Sequence, residues 1–163
     1  MTQDPADRRI DELTLARERL QVLTDSATGR AAFRFGSYHN HTTWSDGRYS
    51  PEELIERAIE LGFCEIGITD HGYTQKGGIH CVHDEQISAY REMVDGLKQQ
   101  YRETIRIFAG LEIDTSYFNP NRLSLPIESL ETLDYLLFEY VGETSWGGFT
   151  LDDLVTTRRQ LSC

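Results

Sequence analysis

The sequence predicts an α/β fold in which short strands alternate with helices around one parallel sheet. Two observations support this class. Short apolar runs recur along the chain, and each is followed by a polar loop and then by apolar residues at helical spacing. The run 64–69 is almost continuously apolar, which is typical of a strand buried on both faces of a parallel sheet.

The chain divides into two predicted segments. Residues 1–30 are expected to be an N-terminal helical extension, because apolar side chains recur at helical spacing among charged residues over 8–23. Residues 31–163 are expected to form the domain proper. With 163 residues, of which 39% are hydrophobic, one core is expected.

The first helix of the domain has explicit start and stop signals. Ser50 is a predicted N-cap, Pro51 follows at the first helical position, and Glu53 completes a capping box. Gly62 is expected to end this helix. The remaining predicted elements are strands over 32–38, 64–69, 105–113 and 135–141, helices over 84–101 and 150–161, and a short helix before the last strand.

Composition restricts the class of partner. The chain has 16 basic and 27 acidic side chains and a net charge of −11, which makes nucleic acid an unlikely main partner. A phosphate-handling site here would need cations, and bound metal ions supply them. The three cysteines show no CxxC spacing, and no run of about 18 apolar residues occurs. We therefore expect a cytoplasmic protein without a membrane anchor, and the oligomeric state stays open.

Polar residues with metal-binding side chains cluster at the predicted strand ends. Because the carboxyl ends of parallel strands meet at one edge of a sheet, these side chains are expected to converge. They are His39 and His41 after the first strand, Asp70 and His71 after the second, Glu112 and Asp114 at the third, and Glu139 in the fourth. His39 and His41 lie two residues apart, which on an extended segment directs both imidazoles to one face.

Three motifs in combination, HNHTTWSDGRYSPEELIERAIELGF, IGITDHG and AGLEID, resemble the polymerase and histidinol phosphatase (PHP) family of phosphoesterases. The resemblance implies a distorted barrel of seven β/α units with two or three divalent ions, commonly zinc, manganese or iron. About four or five of the seven units are expected in this sequence, so it is interpreted as a C-terminally truncated barrel.

The same resemblance implies the ligands. His39 and His41 match the opening metal-binding pair, Asp46 and His71 match further ligands, and Glu112 matches the carboxylate that bridges two metals. Glu112, His71 and Asp46 are also the expected catalytic residues.

This sequence departs from the family pattern at its fourth strand, which contains no histidine. Glu139 is an alternative oxygen ligand there, or an ordinary strand carboxylate. His80 and His83 are further candidates, although their loop is also a natural rim over the site. Asp70 is interpreted as a support for the ligands, with a direct ligand as the alternative. Tyr73 and Trp44 either line the pocket or anchor their loops by packing.

The predicted function is hydrolysis of a phosphomonoester by a metal-bound hydroxide, as in a histidinol phosphatase. A small phosphorylated substrate is expected, and the truncated chain is expected to be a poor catalyst. The alternatives are a non-catalytic or regulatory PHP module and a nuclease or polymerase-associated PHP domain. Ser45 lacks the glycines of a nucleophile elbow, and no phosphate-binding GxxxxGK[ST] loop occurs.

Overall fold

The computed structural model describes residues 35–75 and 80–160. Four parallel strands form one sheet in sequential order, with bounds β1 Gly36–Ser37, β2 Glu65–Gly72, β3 Arg106–Asp114 and β4 Tyr135–Glu139. The helix predicted over 8–23 and the start of the strand predicted over 32–38 lie outside the described residues.

Each strand is followed by a helix. The helices are α1 Pro51–Glu60, α2 Asp84–Gln100, α3 Ile127–Leu130 and α4 Leu151–Gln160, with a 3₁₀ turn at Thr144–Trp146. The α/β class is therefore confirmed, and the described residues contain four β/α units. Within this part of the chain, no helix combines the length and apolar character needed to cross a bilayer.

Helix α1 begins and ends as its sequence predicts. The Ser50 Oγ accepts the Glu53 N–H at 3.2 Å, and Glu53 Oε2 accepts the Ser50 N–H at 2.8 Å. Gly62 has a φ of +80°, and the N–H groups of Gly62 and Phe63 donate back to the carbonyls of Ile59 and Ala58. This pairing is a Schellman motif, which turns the chain towards β2.

Helix α2 packs its apolar face on the outer side of the sheet. Its buried residues recur at helical spacing and are Ile87, Tyr90, Val94 and Leu97. They join a core with the outward-facing apolar residues of β2 and β3. The loops at the carboxyl ends of the strands are thus attached to a rigid layer.

The sheet is strongly curled. The Tyr135 hydroxyl at the start of β4 donates to the Tyr38 carbonyl, which follows β1, at 2.7 Å. In a flat sheet these strands would lie about 14 Å apart, because neighbouring strands are about 4.8 Å apart. Gly110 makes the crossing possible, since a Cβ there would lie 2.5 Å from the Tyr135 ring. The parallel order of the strands and the curl of the sheet are those of part of a β/α barrel.

Strand β2 differs from its predicted bounds. It begins at Glu65 and continues to Gly72, so Asp70 and His71 belong to the strand and not to the loop after it. Pairing with β3 along the whole length stabilises the polar end as strand. Cys64, assigned to the buried strand by its apolar neighbours, precedes β2 and is exposed.

Asp134 joins β3, β4 and α2, and its replacement by alanine should destabilise the fold. One oxygen accepts the Ala109 N–H and the Lys98 ammonium at 2.7 Å each, and the other accepts from Arg91 at 3.3 Å. Asp134→Ala is expected to lower the free energy of unfolding by about 1–3 kcal/mol. Denaturant titration measures this, with Glu103→Ala as the control, because Glu103 forms only an exposed pair with Arg102.

The same variant should show a defined pH dependence. Burial would raise the pKa of Asp134, but hydrogen bonds from Lys98 and the Ala109 N–H hold it below its ordinary value. A lowered pKa stabilises the fold above the pKa of the unfolded chain, about 3.9. The difference in unfolding free energy between wild type and Asp134→Ala should have its largest value above about pH 4. It should decrease as the pH falls further. A difference that grows on acidification would contradict this assignment.

Candidate metal centre

Glu112 lies at the centre of a cluster of three histidines. Its Oε1 is 2.9 Å from His39 Nε2, and its Oε2 is 3.1 Å from His41 Nε2 and 3.0 Å from His71 Nδ1. One carboxylate therefore contacts imidazoles from two strand ends with both of its oxygens.

Asp46 closes the cluster on the loop side. Its Oδ1 is 2.7 Å from His41 Nδ1, and its Oδ2 is 3.6 Å from His71 Nε2. Glu112 and His71 form a buried floor, with side chains 6% and 7% exposed, whereas His39 and Asp46 are 54% and 43% exposed. The cluster is thus open to solvent on one side.

Sheet register explains how residues distant in sequence meet. His71 on β2 and Glu112 on β3 are direct register partners, so their side chains lie side by side on the inner face of the curled sheet. Asn40 donates its side-chain amide to the Gly67 carbonyl at 2.9 Å, and its own carbonyl accepts the Thr69 N–H. This anchors the residue between His39 and His41 to β2.

The donors fit divalent metal ions. Three overlapping groups have ligand atoms close enough to share an ion: His39, His41 and Glu112; His41, Asp46 and His71; and His71, Glu112 and Glu139. In tetrahedral or octahedral sites with bonds of about 2.1 Å, neighbouring donors lie about 3.0–3.4 Å apart, close to the distances here. His71 Nδ1 is buried and, although 3.0 Å from Glu112, lacks the alignment of a hydrogen bond. Mixed imidazole and carboxylate donors suit zinc, manganese and iron.

The charges within the cluster are strongly coupled. Hydrogen bonding to Glu112 raises the pKa of His41 to about 9, with Asp46 acting in the same direction against the opposing effect of burial. Burial would raise the pKa of Glu112, but the neighbouring imidazoles of His41, His71 and His39 hold it well below the ordinary value. Burial would also raise the pKa of Asp46, but its hydrogen bond with His41 holds it below the ordinary value. Both carboxylates are therefore ionised at neutral pH and available to cations.

Asp70 supports the loop that carries Asp46. It is fully buried, and its carboxylate accepts the Thr42 N–H at 2.6 Å, the Thr42 hydroxyl at 2.8 Å and the Ser45 hydroxyl at 2.6 Å. The Tyr90 hydroxyl on α2 lies 3.2 Å away on the other side. Asp70 belongs to none of the three ligand groups, so its geometry agrees with a supporting position.

Replacing Asp70 should loosen this loop. Asp70→Ala leaves several buried donors unsatisfied and is expected to cost about 3 kcal/mol of unfolding free energy. Asp70→Asn keeps an acceptor for Thr42 and Ser45 and should cost clearly less. Denaturant titration of both variants decides the point. Equal stability of Asp70→Ala and wild type would contradict the network.

Asp114, at the end of β3, supports neighbouring loops in the same way as Asp70 does near the end of β2. It is fully buried, and it accepts hydrogen bonds from the Thr74 hydroxyl at 2.6 Å and from the Ser116 N–H at 2.8 Å. It therefore ties the loop after β2 to the loop after β3. Neither the Thr42–Asp70–Tyr90 network nor this link was predicted, because each joins residues far apart in the sequence.

The other predicted candidates lie apart from the cluster. His80 is exposed, and His83 is the N-cap of α2, where its Nε2 is 3.4 Å from the Cys81 sulfur. Among the described residues, neither belongs to a possible metal group. Trp44 packs edge-on against Tyr90 at 5.4 Å, which makes it a packing residue.

Comparison with known proteins identifies one family whose model matches this chain. The family model described as PHP domain matches residues 37–141. The DNA polymerase/3'-5' exonuclease PolX of Bacillus subtilis is 34% identical over 79 residues, which are 48% of this chain and 14% of PolX. The 5'-3' exoribonuclease Rnm of Salmonella typhimurium is 35% identical over 83 residues, which are 50% of this chain and 23% of that relative.

A solved structure also matches. It is the histidinol phosphate phosphatase of Lactococcus lactis, complexed with zinc, L-histidinol and phosphate. The match has a TM-score of 0.48 and 23% identity, and it covers 63% of this chain and 38% of that chain. The chain thus matches well under two thirds of the length of each of these proteins.

Proposed function

This chain belongs to the PHP domain family, and from that premise we propose that it is a metal-dependent phosphoesterase that hydrolyses a small phosphomonoester. Its proposed ligands are His39, His41, Asp46, His71 and Glu112, with Glu139 as a further oxygen ligand. The substrate alcohol is not specified by this proposal.

The position of Glu112 carries the proposal. It presents one oxygen towards His39 and the other towards His41 and His71. A carboxylate so placed can be shared by two ions, and paired ions are a common arrangement in phosphoester hydrolysis. Divalent ions bound to these donors would lower the pKa of a water molecule and neutralise charge on the phosphate oxygens.

The chain's own residues contribute orientation and access. Asp46 contacts His41 Nδ1 at 2.7 Å, which fixes the ring so that Nε2 faces Glu112 at 3.1 Å. The exposed sides of His39 and Asp46 leave an opening through which a phosphate group can approach the buried floor. The site requires no serine or cysteine nucleophile.

Metal removal tests the proposal. The full chain loaded with manganese or zinc is expected to release inorganic phosphate from p-nitrophenyl phosphate. Treatment with a chelator should abolish the release, and added metal should restore it. Hydrolysis that resists complete metal removal would contradict the proposal. Full metal content without turnover of any phosphoester would favour the non-catalytic module instead.

A nuclease is the second candidate, because two relatives are named as exonucleases. The net charge of −11 opposes binding of a polyanion. Comparison of p-nitrophenyl phosphate with end-labelled DNA and RNA oligonucleotides separates the two. Faster cleavage of the oligonucleotides, measured as kcat/KM, would favour the nuclease.

A further inference from the structure

One of the three possible ligand groups differs from the other two in its donor atoms. The other two each contain two histidines and one carboxylate, whereas this group contains His71, Glu112 and Glu139. Within the described part of the chain, it is the only group in which carboxylates outnumber imidazoles. Imidazole donors suit zinc, whereas carboxylate donors suit harder ions such as manganese. The carboxylate-rich group is therefore expected to differ from the histidine-rich groups in the ion that it favours.

Sheet register and two hydrogen bonds place Glu139 in this group. Leu137 on β4 is the register partner of Glu112 on β3, and Glu139 follows Leu137 by two residues on the same inner face. The Glu139 carbonyl accepts a hydrogen bond from the Thr115 hydroxyl at 2.6 Å. The Thr115 oxygen in turn accepts the Phe149 N–H at 3.1 Å. The backbone at Glu139 is thus held by the loops that follow β3 and β4.

His71 and Glu112 form the buried side of the carboxylate-rich group. Their side chains are 7% and 6% exposed, and His71 Nδ1 lies 3.0 Å from Glu112 Oε2 without the alignment of a hydrogen bond. The ligand atoms of the three members lie within 4.8 Å of one another. Glu112 Oε1 faces His39 at 2.9 Å, so Glu112 can offer one oxygen to each of two ions. A divalent ion would neutralise two carboxylates that only one imidazole accompanies.

We propose that Glu139 determines the metal preference of its group, so that this position takes manganese while the histidine-rich positions take zinc. Zinc binds a given site more tightly than manganese, but this advantage is smaller where oxygen donors replace nitrogen donors. With manganese in excess over zinc, the centre is therefore expected to hold both metals. This inference rests on the metal centre of the proposed phosphoesterase, and it concerns which ion binds rather than which ester is hydrolysed.

Glu139→His tests this preference, because it places a nitrogen donor at the same position on β4. The full chain is dialysed against buffered zinc with excess manganese, elemental analysis counts both metals, and electron paramagnetic resonance detects bound manganese. The wild type should retain about one equivalent of manganese beside zinc. In Glu139→His, zinc should replace this manganese, and the ratio of zinc to manganese affinity should rise about tenfold or more. Glu103→His, a histidine at an exposed position before β3, is the matched control and should keep the wild-type ratio.

Glu139→Gln keeps the test decisive if Glu139→His does not fold. It retains the shape of the side chain and removes its charge, so manganese should be lost while zinc is retained. Zinc alone in the wild type, equal metal ratios in wild type and Glu139→His, or undiminished manganese in Glu139→Gln would each overturn the role of Glu139. These results leave metal-dependent hydrolysis of p-nitrophenyl phosphate standing. Absence of that hydrolysis in a protein that holds both metals would overturn the phosphoesterase and not the metal preference.

Discussion

Replacing both His39 and His41 with alanine is expected to abolish metal loading while leaving the fold intact. His41 belongs to two of the three possible ligand groups and His39 to one of these, so two groups lose members at once. Both residues lie in the segment after β1 and outside the buried core, so little packing is lost. Elemental analysis measures the metal, and circular dichroism melting measures the fold.

The control for this experiment is His80→Ala, which removes an exposed histidine outside the ligand groups. It should keep the metal content of the wild type. A folded His39→Ala/His41→Ala protein with undiminished metal would show that the ions bind elsewhere. Loss of folding in the double variant would show that the pair has a structural role not expected from its exposure.

Glu112→Gln is expected to reduce phosphoester turnover by about a thousandfold or more, because the central carboxylate becomes neutral and can no longer be shared between ions. Glutamine has nearly the same shape, so the fold should persist. The measurement is kcat/KM for p-nitrophenyl phosphate at saturating manganese, together with metal stoichiometry. At least one equivalent of metal is expected to be lost.

Glu103→Gln is the matched control, since Glu103 is 85% exposed and precedes the amino end of β3, whereas Glu112 lies near the carboxyl end of that strand. It should have wild-type activity. Glu139→Gln is informative as well, because Glu139 belongs to only one ligand group and its loss should reduce turnover less than loss of Glu112. Near-normal turnover in Glu112→Gln would remove the basis for a shared carboxylate.

Local signals in the sequence were sufficient for much of the fold. The capping box of Ser50 and Glu53 and the termination at Gly62 depend on a few neighbouring residues, and the structure shows both. The alternation of strands and helices placed the metal-binding side chains at one edge of the sheet. The roles of these side chains as ligands stay a prediction, but their proximity follows from parallel register, as His71 and Glu112 illustrate.

Interactions between distant segments were not predictable in the same way. Tyr135 crosses the inner face of the sheet over Gly110 to reach Tyr38, and no local pattern indicates this. The polar residues at the end of β2 predict a loop in the sequence. In the structure they belong to the strand, because β3 pairs with them. Asp70 is buried there because hydroxyl and amide donors from a separate loop satisfy it. Such cases depend on which segments pack together.

The most direct test of the central claim is a crystal of the full chain grown with manganese or zinc and measured at the absorption edge of the metal. We predict at least two anomalous peaks, with His39, His41, Asp46, His71 and Glu112 at ligand distances of about 2.0–2.3 Å. Glu112 should contact two of the ions. Peaks confined to other surfaces, or none near Glu112 at saturating metal, would contradict the shared metal centre and the phosphoesterase proposed from it.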